Sequence, residues 1–217
     1  MNKALRNIIL IVLIVVVTAI GLAIWLKSLS PEQVTPDSSI RGEKVFIRPG
    51  NYITGNTSAK VVLIEFGDFQ CPACAANYTP IKAIVNKYKS NPGFNFVYRN
   101  FPLSSHANAK ISANAAEAAG SQGKYWEMMD LLFKNQSQWA GSINPMNTFI
   151  QYAQSLGLDI DKFKDEVSTS HYINKIMQDY KDGEVLGVNG TPTFFLNGER
   201  LGTIADLDNQ IQALLDK

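Results

Sequence analysis

The segment Glu65–Pro80, "EFGDFQCPACAANYTP", places Cys71 and Cys74 in a Cys-x-x-Cys unit behind the apolar run Lys60–Phe69, "KVVLIEFGDF". That run is β-branched and apolar with few interruptions, the pattern of a central strand buried on both faces. Pro72 then marks a helix start, and Ile81, Ile84, Val85 and Tyr88 recur at helical spacing. The cysteines therefore sit where a strand feeds a helix. Pro80 falls inside the helical pattern and is expected to kink it rather than end it.

Paired cysteines serve as metal ligands, as a redox couple or as buried thiols. One Cys-x-x-Cys unit supplies only two zinc ligands, and His106 and His171 are isolated and far away in sequence, so no metal site is expected. Inert burial is disfavoured by Pro72 and the strand-to-helix junction. The redox reading fits best. Two cysteines on the first helical turn bring their sulfurs within bonding distance across a short loop. The unpaired N–H groups and positive dipole end of the helix favour thiolate at Cys71, lowering its pKa from about 8.5 into a range of roughly 3.5 to 7.5. Cys71 is then the nucleophile and Cys74, one turn in, the buried resolving thiol. Exchange through a mixed disulfide on Cys71 needs no cofactor beyond the Cys71–Cys74 disulfide itself. Pro72 and Ala73 set the local geometry, and neither brings a positive charge.

Outward from this unit, Gly93–Leu103, "GFNFVYRNFPL", alternates Phe94, Phe96 and Tyr98 with Asn95, Val97 and Arg99, a second strand. Strand, helix and strand make a right-handed βαβ unit. From Ser104 to about Leu186 the pattern is helical: an alanine-rich segment stopping at Gly120, "KYWEMMDLLFKNQ", a helix opened by Asn144-Pro145 and closed by Gly157, then "DIDKFKDEV" and "YINKIMQDYKDGEVLG". Within this block Trp126, Met128, Met129, Leu132 and Phe133 read as core, and His106 as a capping or exposed residue at a helix start. "TPTFFLNGERL" returns to β structure with Asn197-Gly198 as a hairpin turn, and "TIADLDNQIQALLDK" is a terminal amphipathic helix. Ahead of the first strand, Lys44–Gly55 is expected to form a short strand or hairpin around Pro49-Gly50.

The N-terminus sets the expected compartment. Residues 1–6 carry Lys3 and Arg6 without an acid, and Ile8–Leu26 is almost unbroken apolar sequence within an expected span at 7–27. At 1.5 Å per residue such a run covers about 28 Å, close to the hydrocarbon thickness of a bilayer. It is longer than the apolar core of a signal peptide and lacks a small-x-small cleavage site before Trp25 and Lys27, so a retained single-pass signal anchor is expected. The basic flank places residues 1–6 in the cytoplasm and the rest on the extracytoplasmic side of the cell membrane. Residues 28–44, rich in Ser, Pro and polar side chains, read as a linker, and 45–217 as one exported domain. In an oxidising compartment the chain's two cysteines would have only each other as intramolecular partners. Hydrophobic content of 46% in 217 residues suits one folded domain, and a net charge of +1 gives no reason to expect nucleic acid as a partner.

"GNTSAKVVLIEFGDFQCPAC", "YRNFPLSSHANA", "KYWEMMDLLF" and "GVNGTPTFFLNG" resemble, in order, segments of the DsbA-like thiol-disulfide oxidoreductases of the thioredoxin superfamily. The resemblance runs from about Gly55 to the C-terminus and is carried mainly by Cys-Pro-x-Cys and Gly-Thr-Pro-Thr. It implies an α/β thioredoxin-like core, β-α-β then β-β-α, with a helical domain inserted at about 104–186. It implies that Thr191-Pro192 is the loop bearing a cis-proline beside the sulfurs, where the backbone before Pro192 pairs with a bound peptide. A plain strand-initiating proline is the alternative reading. Glu65 matches the family's buried acid beneath the site. On a two-sided strand an acid costs several kcal/mol unless its pKa rises or it finds a partner, and a raised pKa would let Glu65 shuttle the Cys74 proton. The other reading of Glu65 is a strand-end carboxylate reaching water or a salt bridge. Ala73 departs from the pattern: the best-known oxidants of this group carry histidine in the dipeptide, and its absence removes one group that stabilises the thiolate, so the resemblance alone does not fix the oxidising power.

The expected activity is disulfide donation to exported or unfolded protein clients, with reoxidation by a membrane partner of the DsbB or VKOR type. A reductase or isomerase would use the same residues at a different potential. A non-catalytic peptide-binding or chaperone module using the groove near Pro192 is the third reading.

Overall fold

The computed structural model describes residues 47–217 together with Asn2. The expected span at 7–27 and linker at 28–44 lie outside the described residues, among which no helix is long and apolar enough to cross a membrane.

The strand expected at Lys60–Phe69 is β2 (Val61–Gly67), where six of its seven positions are buried. It pairs in parallel with β3 (Phe94–Asn100), from Val61 opposite Phe94 to Gly67 opposite Asn100. The crossover between them is helix α1 (Pro72–Tyr88), with Pro72 in its first turn. The helix continues through Pro80. Proline removes the N–H that would reach the Ala76 carbonyl, and Ala76 is exposed, so water can serve that acceptor. On the other side of β2 lies β4 (Thr193–Leu196), antiparallel, followed by β5 (Glu199–Arg200). The β4–β5 turn is Asn197-Gly198 with φ of 49° and 82°, the pair of left-handed residues that a tight hairpin demands. Of the short strand or hairpin expected ahead of β2, the described residues form the strand. Pro49-Gly50 makes a turn, closed by Asn51 N–H to the Arg48 carbonyl at 3.1 Å, and a single edge strand β1 (Ile53–Gly55) pairs with β3. The sheet order is β1-β3-β2-β4-β5.

Between β3 and β4 the chain is helical: α2 (Ala109–Gly120), α3 (Tyr125–Lys134), α4 (Gln136–Trp139), α5 (Met146–Ser155), α6 (Ile160–Ser168) and α7 (Ile173–Val185). Local caps match the sequence signals. Asn144 accepts from Met146 N–H at 3.2 Å, Asp159 accepts from Lys162 N–H at 3.0 Å, and Gly157 leaves α5 with φ of 69°. Helix α8 (Leu207–Leu215) closes the chain against β2.

One face of the sheet, with Leu63, Phe94, Phe96 and Tyr98, packs into a core shared with α1, α2 and α3. The other, with Ile64, Phe66, Val97 and Phe195, is completed by Phe101 and Val188. Every position of β3 is buried, polar ones included, because α7 covers its second face. Gly183 permits that approach, since a Cβ there would stand 2.7 Å from the Phe101 ring. Beneath α7, Arg99 is fully buried and pairs with Asp179 at 2.6 Å and Asp182 at 2.5 Å. Arg48 reaches Asp182 from the N-terminal segment, and Asn100 links Asp179 to Glu117. Burial raises the Glu117 pKa to about 7, with Lys175 at 2.5 Å working against that rise.

Candidate active site

Cys71 immediately precedes α1 in extended conformation (φ −69°, ψ 122°), and its N–H donates to the Asp68 carbonyl at 3.0 Å. This turns its sulfur toward the open end of the helix. Both cysteines are free thiols, Cys71 at 6% exposure and Cys74 at 0%. The Cys71 thiol donates to the Thr191 carbonyl at 3.3 Å. Its pKa is lowered to about 5, chiefly by hydrogen bonding with the Cys74 thiol, opposed by burial and assisted by Thr191 and the N–H groups of Cys74 and Ala73. Cys74 is driven the other way, first by burial, then by its bond to Cys71 and the nearby Glu65 carboxyl. The two sulfurs of one motif are thus polarised into a thiolate at the helix start and a protonated thiol one turn in.

Glu65 lies under this pair on β2, opposite Tyr98 of β3 and Phe194 of β4. It is 2% exposed, and its carboxyl has no hydrogen-bond partner among the described residues. Burial, with a smaller contribution from charge on Cys71, pushes its pKa up to about 8. It is therefore predominantly protonated at neutral pH. The solvated strand-end reading of Glu65 is overturned, because the sheet and α1 enclose it. Tyr98 is buried beside it, its hydroxyl also unpartnered and its pKa raised by burial first.

The loop that presents Cys71 is held by groups to which the sequence draws no attention. Asp68 accepts from Gln70 N–H at 2.8 Å and Leu103 N–H at 3.0 Å, and binds His106 Nδ1 at 2.7 Å. His106 therefore does more than occupy a helix start: it ties the loop after β3 to the loop before Cys71. Gln136 of α4 donates to the carbonyls of Phe69 at 2.8 Å and Cys71 at 3.0 Å. Gln70 in turn donates to the Ala140 carbonyl at 2.7 Å and accepts from Asn108 N–H at 2.6 Å. Asp68 carries a readable signal, an acid at the end of an apolar strand. Gln136 and Asn108 carry none, because their partners are backbone groups remote in sequence.

The Thr191-Pro192 peptide is cis and lies across from the Cys71 sulfur. Thr191 Oγ1 is buried without a partner in the thiol form. Exposed Pro72 and Ala73 flank the sulfur on the helix side. Beside Pro192 a groove of about 450 Å³ runs past Asn77, Phe194, Arg200 and Ile204. Among the described residues no cluster of three or more His, Cys, Asp or Glu side chains is placed to hold a metal ion. Met128, Leu132 and Phe133 are core as expected, whereas Trp126 and Met129 also line a second cavity that reaches Glu65.

A family model described as thioredoxin matches residues 48–217. The chain belongs to the thioredoxin family. Among solved structures the fold recurs in a thioredoxin-like oxidoreductase from Silicibacter pomeroyi, at 25% identity, with a TM-score of 0.60 over 79% of this chain and 94% of that one. It recurs in MdbA, a thiol-disulfide oxidoreductase from Corynebacterium diphtheriae, at 19% identity, with a TM-score of 0.64 over 76% and 89% of the two chains. The thioredoxin-like architecture with its strand order therefore agrees with the sequence reading. A curated relative of different name, Na(+)/H(+) antiporter NhaA 1 of Salinispora arenicola, is 35% identical over 151 residues, 69% of this chain. The chain spans only 22% of that antiporter's length.

Proposed function

We propose that this chain is a protein thiol-disulfide oxidoreductase, exported and tethered to the membrane by its N-terminal segment, that donates the Cys71–Cys74 disulfide to exported protein clients. The observation that carries the reading is the opposed polarisation of the two sulfurs at the α1 N-terminus: Cys71 lowered to about 5 beside the exposed Pro72 and Ala73, Cys74 fully buried and raised. The thioredoxin-like fold and its thiol-disulfide neighbours support the same chemistry.

In the forward reaction a client thiolate attacks the Cys71 sulfur of the oxidised pair, forming a mixed disulfide and expelling the Cys74 thiolate. Glu65, protonated at neutral pH, supplies the proton that Cys74 takes up. A second client thiolate then attacks the client sulfur of the mixed disulfide. Cys71 leaves as a thiolate, and the client's two thiols have become one disulfide while the chain's disulfide has become a dithiol. A low-pKa leaving group speeds that last step and stabilises the reduced chain, which pushes the pair toward oxidising power. The extended backbone of a client would lie against Thr191-Pro192 in the groove beside Pro192. No metal or organic cofactor enters any step. A membrane redox partner of the DsbB or VKOR type would accept the two electrons, and a tether would raise the effective concentration of chain near that partner.

The test is oxidative refolding of a reduced, unfolded client by the oxidised chain in stoichiometric amount. Disulfide formation is expected with the wild type and is lost in Cys71→Ser and in Cys74→Ser, neither of which can form the internal disulfide, whereas the Cys71 thiolate of Cys74→Ser attacks a disulfide-bearing client, expels one client thiolate and is held as a mixed disulfide. Client protection that survives Cys71→Ser without any thiol exchange would replace the enzyme reading by that of a binding module.

A further inference from the structure

Behind the redox pair, between α1, α3 and the β1–β3 edge, the structure holds a cavity of about 260 Å³ whose lining includes Glu65. Its apolar walls combine aliphatic and aromatic side chains: Ile81 and Val85 from α1, Trp126 and Met129 from α3, Phe96 from β3. The Trp126 and Phe96 rings stand with centroids 5.8 Å apart and planes inclined at 41°, and both line the cavity. Among the described residues the Glu65 carboxyl has no hydrogen-bond partner, so a buried hydrogen-bonding group meets a space walled by these apolar side chains.

The mouth is charged and unevenly neutralised. Asp130 is already bound by Lys82, by the Tyr78 hydroxyl and by Lys134 at 3.5 Å, and Glu127 is paired with Lys124 at 3.0 Å. Lys89, also at the mouth, has no carboxylate partner among the described residues. An apolar slot with one neutral acid at its floor and a surplus cation at its entrance is complementary to one ligand class.

We propose that this cavity binds a small aromatic carboxylate bearing a hydrogen-bonding oxygen at the far end of its ring: the carboxylate meets Lys89, the ring lies along Trp126 and Phe96, and the oxygen meets Glu65. The volume lies just below the range usual for drug-sized ligands, which sets the size at one ring with a short chain. Because Glu65 is also the proton donor in the exchange reaction proposed above, occupancy couples the cavity to the redox pair. A bound oxygen accepting from the Glu65 carboxyl holds the proton that Cys74 would take up, so client oxidation slows while Cys71 remains free to react. The coupling rests on the proposed oxidoreductase reading, and the binding itself does not.

The experiment titrates the full-length chain in lipid nanodiscs with 3-(4-hydroxyphenyl)propionate, following the Trp126 indole resonance by NMR, with 3-phenylpropionate as the comparison. Saturable binding of the hydroxylated acid is expected, about tenfold tighter than the comparison, as one buried hydrogen bond allows. Thr54→Phe, which places a ring in the cavity from the β1 side, and Lys89→Glu, which reverses the mouth charge, should each weaken binding at least tenfold while client oxidation without ligand stays at the wild-type rate. Absence of saturation at 10 mM (roughly the weak end of useful affinity), or binding that neither variant weakens, overturns the proposal. Slower client oxidation with bound acid in the wild type, and no slowing in Thr54→Phe, establishes the coupling. If the chain proves to lack exchange activity while the variants still discriminate, the oxidoreductase reading falls and the binding site stands.

Discussion

One buried acid and one buried base lie on adjacent strands and opposite faces of the sheet, and the molecule treats them in opposite ways. On the α7 face, Arg99 of β3 is enclosed with Asp179 and Asp182, and Arg48, Asn100 and Gln178 satisfy what remains of those carboxylates. On the α1 face, Glu65 of β2 is equally enclosed and has no partner among the described residues, so it gives up its charge instead. A paired buried charge holds α7 and the N-terminal segment to the sheet. An unpaired buried acid stores a proton at neutral pH, and it lies directly under the thiol that must gain and lose one. Burial thus separates a structural site from a chemical one by what surrounds each group.

The sharpest way to break this contrast is at the sulfur the acid serves. Cys71→Ser should abolish client oxidation entirely, with the fold kept, as circular dichroism will check. On the paired face, Arg99→Met leaves Asp179 and Asp182 facing each other and should cost about 3–5 kcal/mol in denaturant unfolding. Any Arg99→Met protein that folds should alkylate at Cys71 at the wild-type rate. A large change there would mean that the two faces are not separate.

Glu65→Gln tests the unpaired face in two readouts. It should slow formation of the reduced pair by about 10²-fold at neutral pH, the usual scale of a positioned proton donor. It should also change stability with a definite sign. A carboxyl whose folded pKa is raised stabilises the fold fully below its ordinary value near 4.5 and loses that advantage as pH rises through about 8. The wild type should therefore lose stability relative to Glu65→Gln between those two values, on the order of a few kcal/mol. Parallel stability curves for the two proteins would show that Glu65 is ionised and paired after all.

Cys71 carries the opposite sign. Its depressed pKa adds stability to the reduced protein above the ordinary thiol value of 9, and this is lost as pH falls through about 5. Iodoacetamide should accordingly react with Cys71 at a nearly constant rate from pH 6.5 to 8, about the range over which an ordinary thiol accelerates manyfold. The smallest expected effect is at Gln136→Ala, which removes two bonds to the active-site loop. It should cost about 1–2 kcal/mol and loosen Cys71 enough to lower its exchange rate a few-fold.

Much of this arrangement is legible in the sequence because its causes are local. The Cys-Pro-x-Cys unit after a β-branched run fixes the strand-to-helix junction, Asn197-Gly198 fixes the hairpin, and Gly157 and Asp159 bracket a helix break. Glu65 is legible as an anomaly, an acid in an apolar strand, and the enclosing sheet decides between its two readings. What escapes has partners far away in the chain. Arg99 looks like the polar side of an alternating strand until α7, some eighty residues on, lays Asp179 and Asp182 over it. The turn signal at Pro49-Gly50 suits a short strand or a hairpin alike, and the pairing of Ile53–Gly55 with the distant β3 decides for the strand. His106 and Gln136 look like surface residues because the backbone groups and carboxylate they bind give no pattern at either end.

The central claim is that opposed polarisation makes Cys71–Cys74 a disulfide donor, and the reduction potential tests it most directly. Equilibrating the full chain in glutathione buffers should give a value nearer the roughly −120 mV of a strong oxidant than the roughly −270 mV of thioredoxin. A value at the thioredoxin end would contradict disulfide donation and make the same site a reductase. Failure of Cys71 and Cys74 to form a reversible disulfide would remove the redox assignment altogether.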